Sequence, residues 1–109
     1  GFTPPTLKIQ SLEGDSAVTE PLRRYLTTSG WFRVVENGEA DYTLQAKAGG
    51  GTINMLLAFG GNPVFNQSMR YTGDPRRAAA RAVDEVLMAR FQKKLCDSRI
   101  AFTAETKPG

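Results

Sequence analysis

A mixed α/β domain, with a sheet of about five strands packed against two main helices, is what this chain predicts from three observations. From Ala40 to Tyr71 the pattern takes a period of two through three segments, and glycine clusters separate those segments. An Ala-rich stretch after Gly73 carries its apolar residues at helical spacing behind an Asp-Pro start. A shorter strand, helix and strand precede both. Apolar helix stripes must be buried against something, so the helices are expected to cover one or both faces of the sheet.

Gly1 to Pro5 is a lead whose two prolines discourage helix. Thr6 to Leu12 then reads as a strand, with Leu7 and Ile9 alternating against Lys8 and Gln10, although Leu12 falls out of phase. Glu13-Gly14-Asp15-Ser16 is a turn. The segment that follows, up to Gly30, places Val18, Leu22, Tyr25 and Leu26 at helical spacing. Either Asp15 or Thr19 caps this helix. The second choice would put Pro21 in the first turn, where its missing N–H costs nothing. Gly30 closes the helix because glycine accepts the left-handed conformation freely.

Trp31 to Val35 reads as a second short strand, and Asn37-Gly38 as a tight turn. Next come Tyr42, Leu44, Ala46 and Ala48, then Ile53, Met55, Leu57 and Phe59, then Phe65, Gln67, Met69 and Tyr71, each set on one face of its strand. Gly49-Gly50-Gly51 and Gly60-Gly61-Asn62 join them as hairpin turns that need positive φ. Both clusters lead from strand into strand. A phosphate cradle needs glycines that lead into a helix N-terminus, so hairpins are expected here.

In the last helix Asp74 is the expected N-cap and Pro75 the first helical residue. Ala79, Ala82, Val83, Val86, Leu87 and Phe91 form its apolar face; Arg76, Arg77, Arg81, Asp84, Glu85 and Arg90 lie mostly opposite. Beyond Lys93-Lys94-Leu95-Cys96, the residues from Arg99 to Thr106 read as an extended strand with nothing after it to pair.

Composition narrows the function classes. The 109 residues, 40% of them hydrophobic, suit one domain with one core. No apolar run approaches the roughly 18 residues that cross a bilayer, so no membrane insertion is expected. Cys96 is the single cysteine and is expected to pack as a small apolar group near the helix end. With no histidine, no cysteine cluster and no converging carboxylates, neither a metal site nor a cofactor nor an enzyme activity is expected. Asp84 and Glu85 point about 100° apart on a helix. Asp41 and Asp97 read as turn and cap residues. The formal charge of +3 sits on two helix faces interrupted by acids, the pattern of solvated surfaces more than of a phosphate-binding stripe.

Four stretches taken in order, Leu22-Arg23-Arg24-Tyr25-Leu26-Thr27-Thr28-Ser29-Gly30-Trp31-Phe32-Arg33-Val34-Val35, Ala40-Asp41-Tyr42-Thr43-Leu44-Gln45, Asp74-Pro75-Arg76-Arg77-Ala78-Ala79 with Asp84-Glu85-Val86, and Ser98-Arg99-Ile100-Ala101-Phe102, resemble the amino-terminal domain of the TolB family. The resemblance implies a single domain over residues 1–109 of the anticodon-binding-like α/β type. Residues 99–109 would start a linker or strand toward a six-bladed β-propeller absent from this sequence. It further implies a periplasmic, non-enzymatic protein-interaction domain of the Tol-Pal cell-envelope system, which serves outer-membrane integrity, protein import and cell division. Its partners would be envelope proteins, either TolA-like or another inner-membrane component.

Partner surfaces are then expected at an exposed sheet edge and the amino-terminal segment, with Leu7 and Ile9 on the first strand and Trp31 and Phe32 beside it as candidate contacts. The competing reading of Trp31 and Phe32 is that they seal the base of the first helix. Two alternative functions remain: a nucleic-acid-binding module, suggested by the anticodon-binding-like architecture and the basic helix, and a stand-alone transport-associated lipoprotein domain.

Overall fold

The chain runs β1 (Thr6–Gly14), α1 (Ser16–Thr28), β2 (Arg33–Val35), β3 (Tyr42–Gly49), β4 (Thr52–Phe59), β5 (Asn62–Arg70) and α2 (Pro75–Phe91), then a 3₁₀ turn over Leu95–Asp97. This is a computed structural model that describes residues 2–97. The strand expected over 99–106, and with it the linker expected over 99–109, lies outside the described residues.

One five-stranded sheet has the order β2-β1-β3-β4-β5. β1 pairs in parallel with β2 and β3, whereas β3, β4 and β5 form an antiparallel meander. The mixed α/β class expected from the sequence is therefore the observed one. The meander is closed by Gly50-Gly51 and Gly60-Gly61, all four at positive φ, which is the backbone that two-residue hairpins of matching twist require.

β1 explains its own irregular pattern. Register slips between Ile9 and Ser11, leaving Gln10 as an extra residue, so Ile9 lies opposite Leu44 and Leu12 opposite Ala46 on the same face. The bulge returns Leu12 to the core side. Because of it the strand continues to Gly14, two residues past the expected end.

α1 starts at Asp15, whose carboxylate accepts the Ala17 N–H at 3.0 Å. Of the two caps open in the sequence, Asp15 wins because its own N–H is held by the Ala48 carbonyl at 2.8 Å, which ties the helix start to the end of β3. Pro21 consequently lies inside the helix, past the first turn, where it removes one i→i−4 bond. The orphaned carbonyl belongs to exposed Ala17, which water can satisfy, while the Pro21 ring is buried.

β2 is only three residues long, and Trp31 and Phe32 precede it instead of belonging to it. The short strand permits a short return. Residues 36–41 connect two strands that point the same way, a link that ordinarily takes a long crossover. Here the chain need only step back three residues. Asp41 secures the crossing by accepting both the Thr6 N–H and the Thr6 hydroxyl, at 3.0 and 3.2 Å.

Asp74 caps α2, accepting the Arg76 N–H at 2.9 Å, with Pro75 next to it. The helix ends at Phe91 because Gln92 adopts a left-handed conformation, φ 58°, and turns the chain back. Asp84 then accepts the Leu95 N–H at 2.6 Å and Asp97 the Lys94 N–H at 3.0 Å, so both carboxylates are structural. Cys96 is exposed, contrary to expectation, and in the 3₁₀ turn it is the neighbouring Leu95 that packs against the core.

The helices pack side by side on one face of the sheet. Leu7, Leu44, Ile53 and Leu57 from the strands, Val18, Leu22 and Leu26 from α1, and Ala79, Val83, Val86 and Leu87 from α2 form one core. Burying each large aliphatic side chain there contributes about 2 kcal/mol.

Candidate functional site

The four expected contact residues do not form one surface. Leu7 is completely buried, and β1 is an internal strand with β2 on one side and β3 on the other. Ile9 is half-buried on the core face, opposite Leu44. Leu7 and Ile9 were expected on an edge because alternation marks a half-buried strand without revealing its rank in the sheet.

Phe32 is only 2% exposed, wedged edge-on against Tyr42 and Phe91 at 5.3 and 5.2 Å between ring centroids. Trp31 stacks on Phe91 at 5.6 Å and meets Phe2 edge-on at 5.1 Å, while its indole N–H donates to the Asp97 carbonyl at 3.2 Å. Trp31 and Phe32 thus seal one end of the core, the second of the two readings. Phe2 brings the amino-terminal segment onto this seal and is itself 38% exposed.

Three cations lie over aromatic rings, two of them over rings of this seal. Arg90 lies over Tyr42 and donates to its hydroxyl, Lys93 lies over Trp31, and Arg24 over Tyr25, each within 6 Å of the ring centroid. This distribution follows the aromatic seal and the helix flanks rather than a continuous basic track.

The sheet face turned away from the helices is polar. Gln45 donates to Gln10 across β3 and β1, and the Ser68 hydroxyl donates to Asn54 across β5 and β4. A shallow depression of about 270 Å³ lies between these pairs, walled by Glu13, Lys47, Leu56 and Asn66. Paired amides and hydroxyls let this face stay in water at little cost.

The two true edges of the sheet are unequal. β2 offers three residues; β5 offers nine. The first part of β5 carries devices that blunt an edge, Pro63 and a bulge at Val64 where register slips between Leu57 and Ala58. From Phe65 to Arg70 there is none, and Arg70 is the only charge. Phe65 opposes Leu57 and is buried, Gln67 opposes Met55 on the helix side yet is exposed, and Asn66 and Ser68 face the open side.

Beside this edge α2 forms the second wall of a groove. Pro63 to Gln67 line one side, with Glu85, Met88 and Ala89 on the other, enclosing about 620 Å³. Met88, 42% exposed, lines this groove next to the free strand. Farther along, where β5 ends, Arg70, Tyr71 and Thr72 join Arg81 of α2 and the Gly50-Gly51 turn around a depression of about 400 Å³. α2 therefore runs antiparallel to β5, with Arg81 at one end of the edge and Met88 at the other.

Sequence reasoning missed this groove, although one signal was present. Gln67 occupies a core-phase position in its strand, and an amide there costs little only where the strand borders water. Among the described residues, no three His, Cys, Asp or Glu side chains gather to hold a metal ion, and no helix is long and apolar enough to cross a membrane. Compared with known proteins, the chain matches no family model and no curated protein sequence.

Proposed function

We propose that this chain is a non-enzymatic protein-interaction domain of a TolB-like periplasmic protein in the Tol-Pal envelope system, and that it engages its partner by accepting an extended segment along β5. The observation that carries the interaction reading is the unblunted edge from Phe65 to Arg70 lying beside exposed Met88. Backbone groups of such an edge hydrogen-bond an added strand, and the alternate side chains select it. The envelope assignment is supported by the residues that resemble the TolB amino-terminal domain, from Leu22 to Val35 and from Asp74 to Val86.

Retention of purified Tol-Pal components by the immobilised chain tests both parts. The expected result is that at least one component is retained and that Ser68→Lys, which places a charge on the edge without touching the core, abolishes retention. If no component binds the unmodified chain, the envelope assignment fails. If binding survives the lysine, the edge is not the docking surface.

A further inference from the structure

We infer that Asn37 is a self-modifying site, at which the chain loses a side-chain amide to its own backbone and in doing so loosens the edge strand β2. Asn37 and Gly38 are exposed in the connection between β2 and β3, β2 being the sheet edge opposite β5. Gly38 takes φ +82°, and nothing lies within 4 Å of where its side chain would stand. The approach to its nitrogen is therefore open. Among the described residues the Gly38 N–H donates to no protein acceptor, and the bond from Lys8 Nζ to the Gly38 carbonyl, at 3.5 Å, is the one hydrogen bond of this pair.

A nitrogen so exposed is free to act as a nucleophile. It gives its proton to solvent and bonds to the side-chain carbonyl carbon of Asn37, while the side-chain nitrogen takes up a proton and leaves as ammonia. Water then opens the resulting cyclic imide at either carbonyl. One opening leaves an aspartate; the other leaves an isoaspartate, in which the main chain runs through Cβ. The remaining asparagines are held from this reaction. Asn62 precedes Pro63, which has no N–H to give up. Asn54 and Asn66 lie within β4 and β5, where ladder pairing fixes an extended backbone and the side chains of Met55 and Gln67 crowd the attacking nitrogen.

The consequence falls on β2. Its last residue, Val35, pairs with Lys8, and Asp41 is tied to Thr6, so residues 36–40 carry the whole return between them. An isoaspartate lengthens the main chain of that return, and either product adds a carboxylate between Glu36 and Glu39. β2 is held by three residue pairs, against eight between β3 and β4, and yields first.

The test ages the full chain in neutral buffer beside a synthetic peptide spanning Val34 to Ala40, and reads both by mass-spectrometric peptide mapping and by enzymatic methylation of isoaspartate. Over the time in which the peptide converts, Asn37 of the folded chain should convert too and shift the chain to a more acidic form, while Asn54, Asn62 and Asn66 keep their amides. Amide exchange should then quicken over Arg33–Val35 and stay unchanged in β3 and β4. Asn37→Gln, which cannot close the same ring, should show neither change. If Asn37 keeps its amide while the peptide loses it, the fold holds the side chain away from Gly38 and the inference is overturned. Equal conversion at Asn54 or Asn66 overturns the assignment to one site. Conversion with exchange in β2 no faster than in the glutamine variant overturns the link to the strand.

Discussion

Replacing Gly14 with alanine tests whether the joint between β1 and α1 holds the parallel half of the sheet. Gly14 has φ +96°, and a Cβ built on it would land on the Ala48 carbonyl oxygen. That oxygen already accepts the Asp15 N–H, and Asp15 caps α1. Three losses therefore share one place. Alanine in the left-handed region costs about 1–2 kcal/mol. Moving the carbonyl aside weakens a hydrogen bond of about 1 kcal/mol. Displacing Asp15 costs about 1 kcal/mol of capping. Since all three belong to one strand end they will not add fully, and the expected loss is about 3 kcal/mol.

Urea unfolding followed by the fluorescence of Trp31, the single tryptophan, supplies the assay. Gly50→Ala is the matched control: φ is +60°, but nothing lies within 4 Å of the added carbon, so only the conformational cost of about 1–2 kcal/mol remains. In thermal unfolding the Gly14 variant should lose about 10–20 °C. Equal destabilisation by the two substitutions would show that the Ala48 carbonyl is free to move, and would refute the account of this joint.

Other substitutions examine the remaining joints. Trp31→Phe keeps the stack on Phe91 but removes the indole bond to Asp97, which should cost about 1 kcal/mol and raise amide exchange over Leu95–Asp97. Ala79 has no exposed surface, so Ala79→Leu should destabilise by about 1–3 kcal/mol, measured by the same urea titration; a neutral effect would indicate unfilled space under α2. Cys96 should react with a thiol reagent in the folded chain as fast as in the unfolded one, and Cys96→Ala should leave stability unchanged.

Much of the fold was legible because its signals are local. Asp74-Pro75 marks a helix start whatever surrounds it, and the two glycine pairs demand hairpins because few other residues accept their φ values. The period-two pattern placed Tyr42, Leu44, Ala46 and Ala48 on one face correctly. Legibility failed where a choice depended on a distant partner. Asp15 prevailed over Thr19 as cap through the Ala48 carbonyl, and the phase break at Leu12 is a bulge set by pairing with β3.

The candidate site was less legible than the fold. Leu7 and Ile9 look like edge residues in sequence and lie on an internal strand, while Phe65 to Arg70 look like any other strand and form the open edge. Phe2, Trp31, Phe32 and Phe91 are spread across almost the whole chain and meet only once the helices are docked.

By itself the sequence determined the order and type of the five strands and two helices among the described residues, the hairpin turns and the apolar faces, since each depends on backbone sterics and side-chain periodicity over a few residues. Strand order, the aromatic seal and the groove between β5 and α2 were decided only in three dimensions. Alternation states which face of a strand is buried, but hydrogen bonding between strands decides its neighbours, and those bonds join residues whose separation along the chain leaves no mark in either one's local pattern.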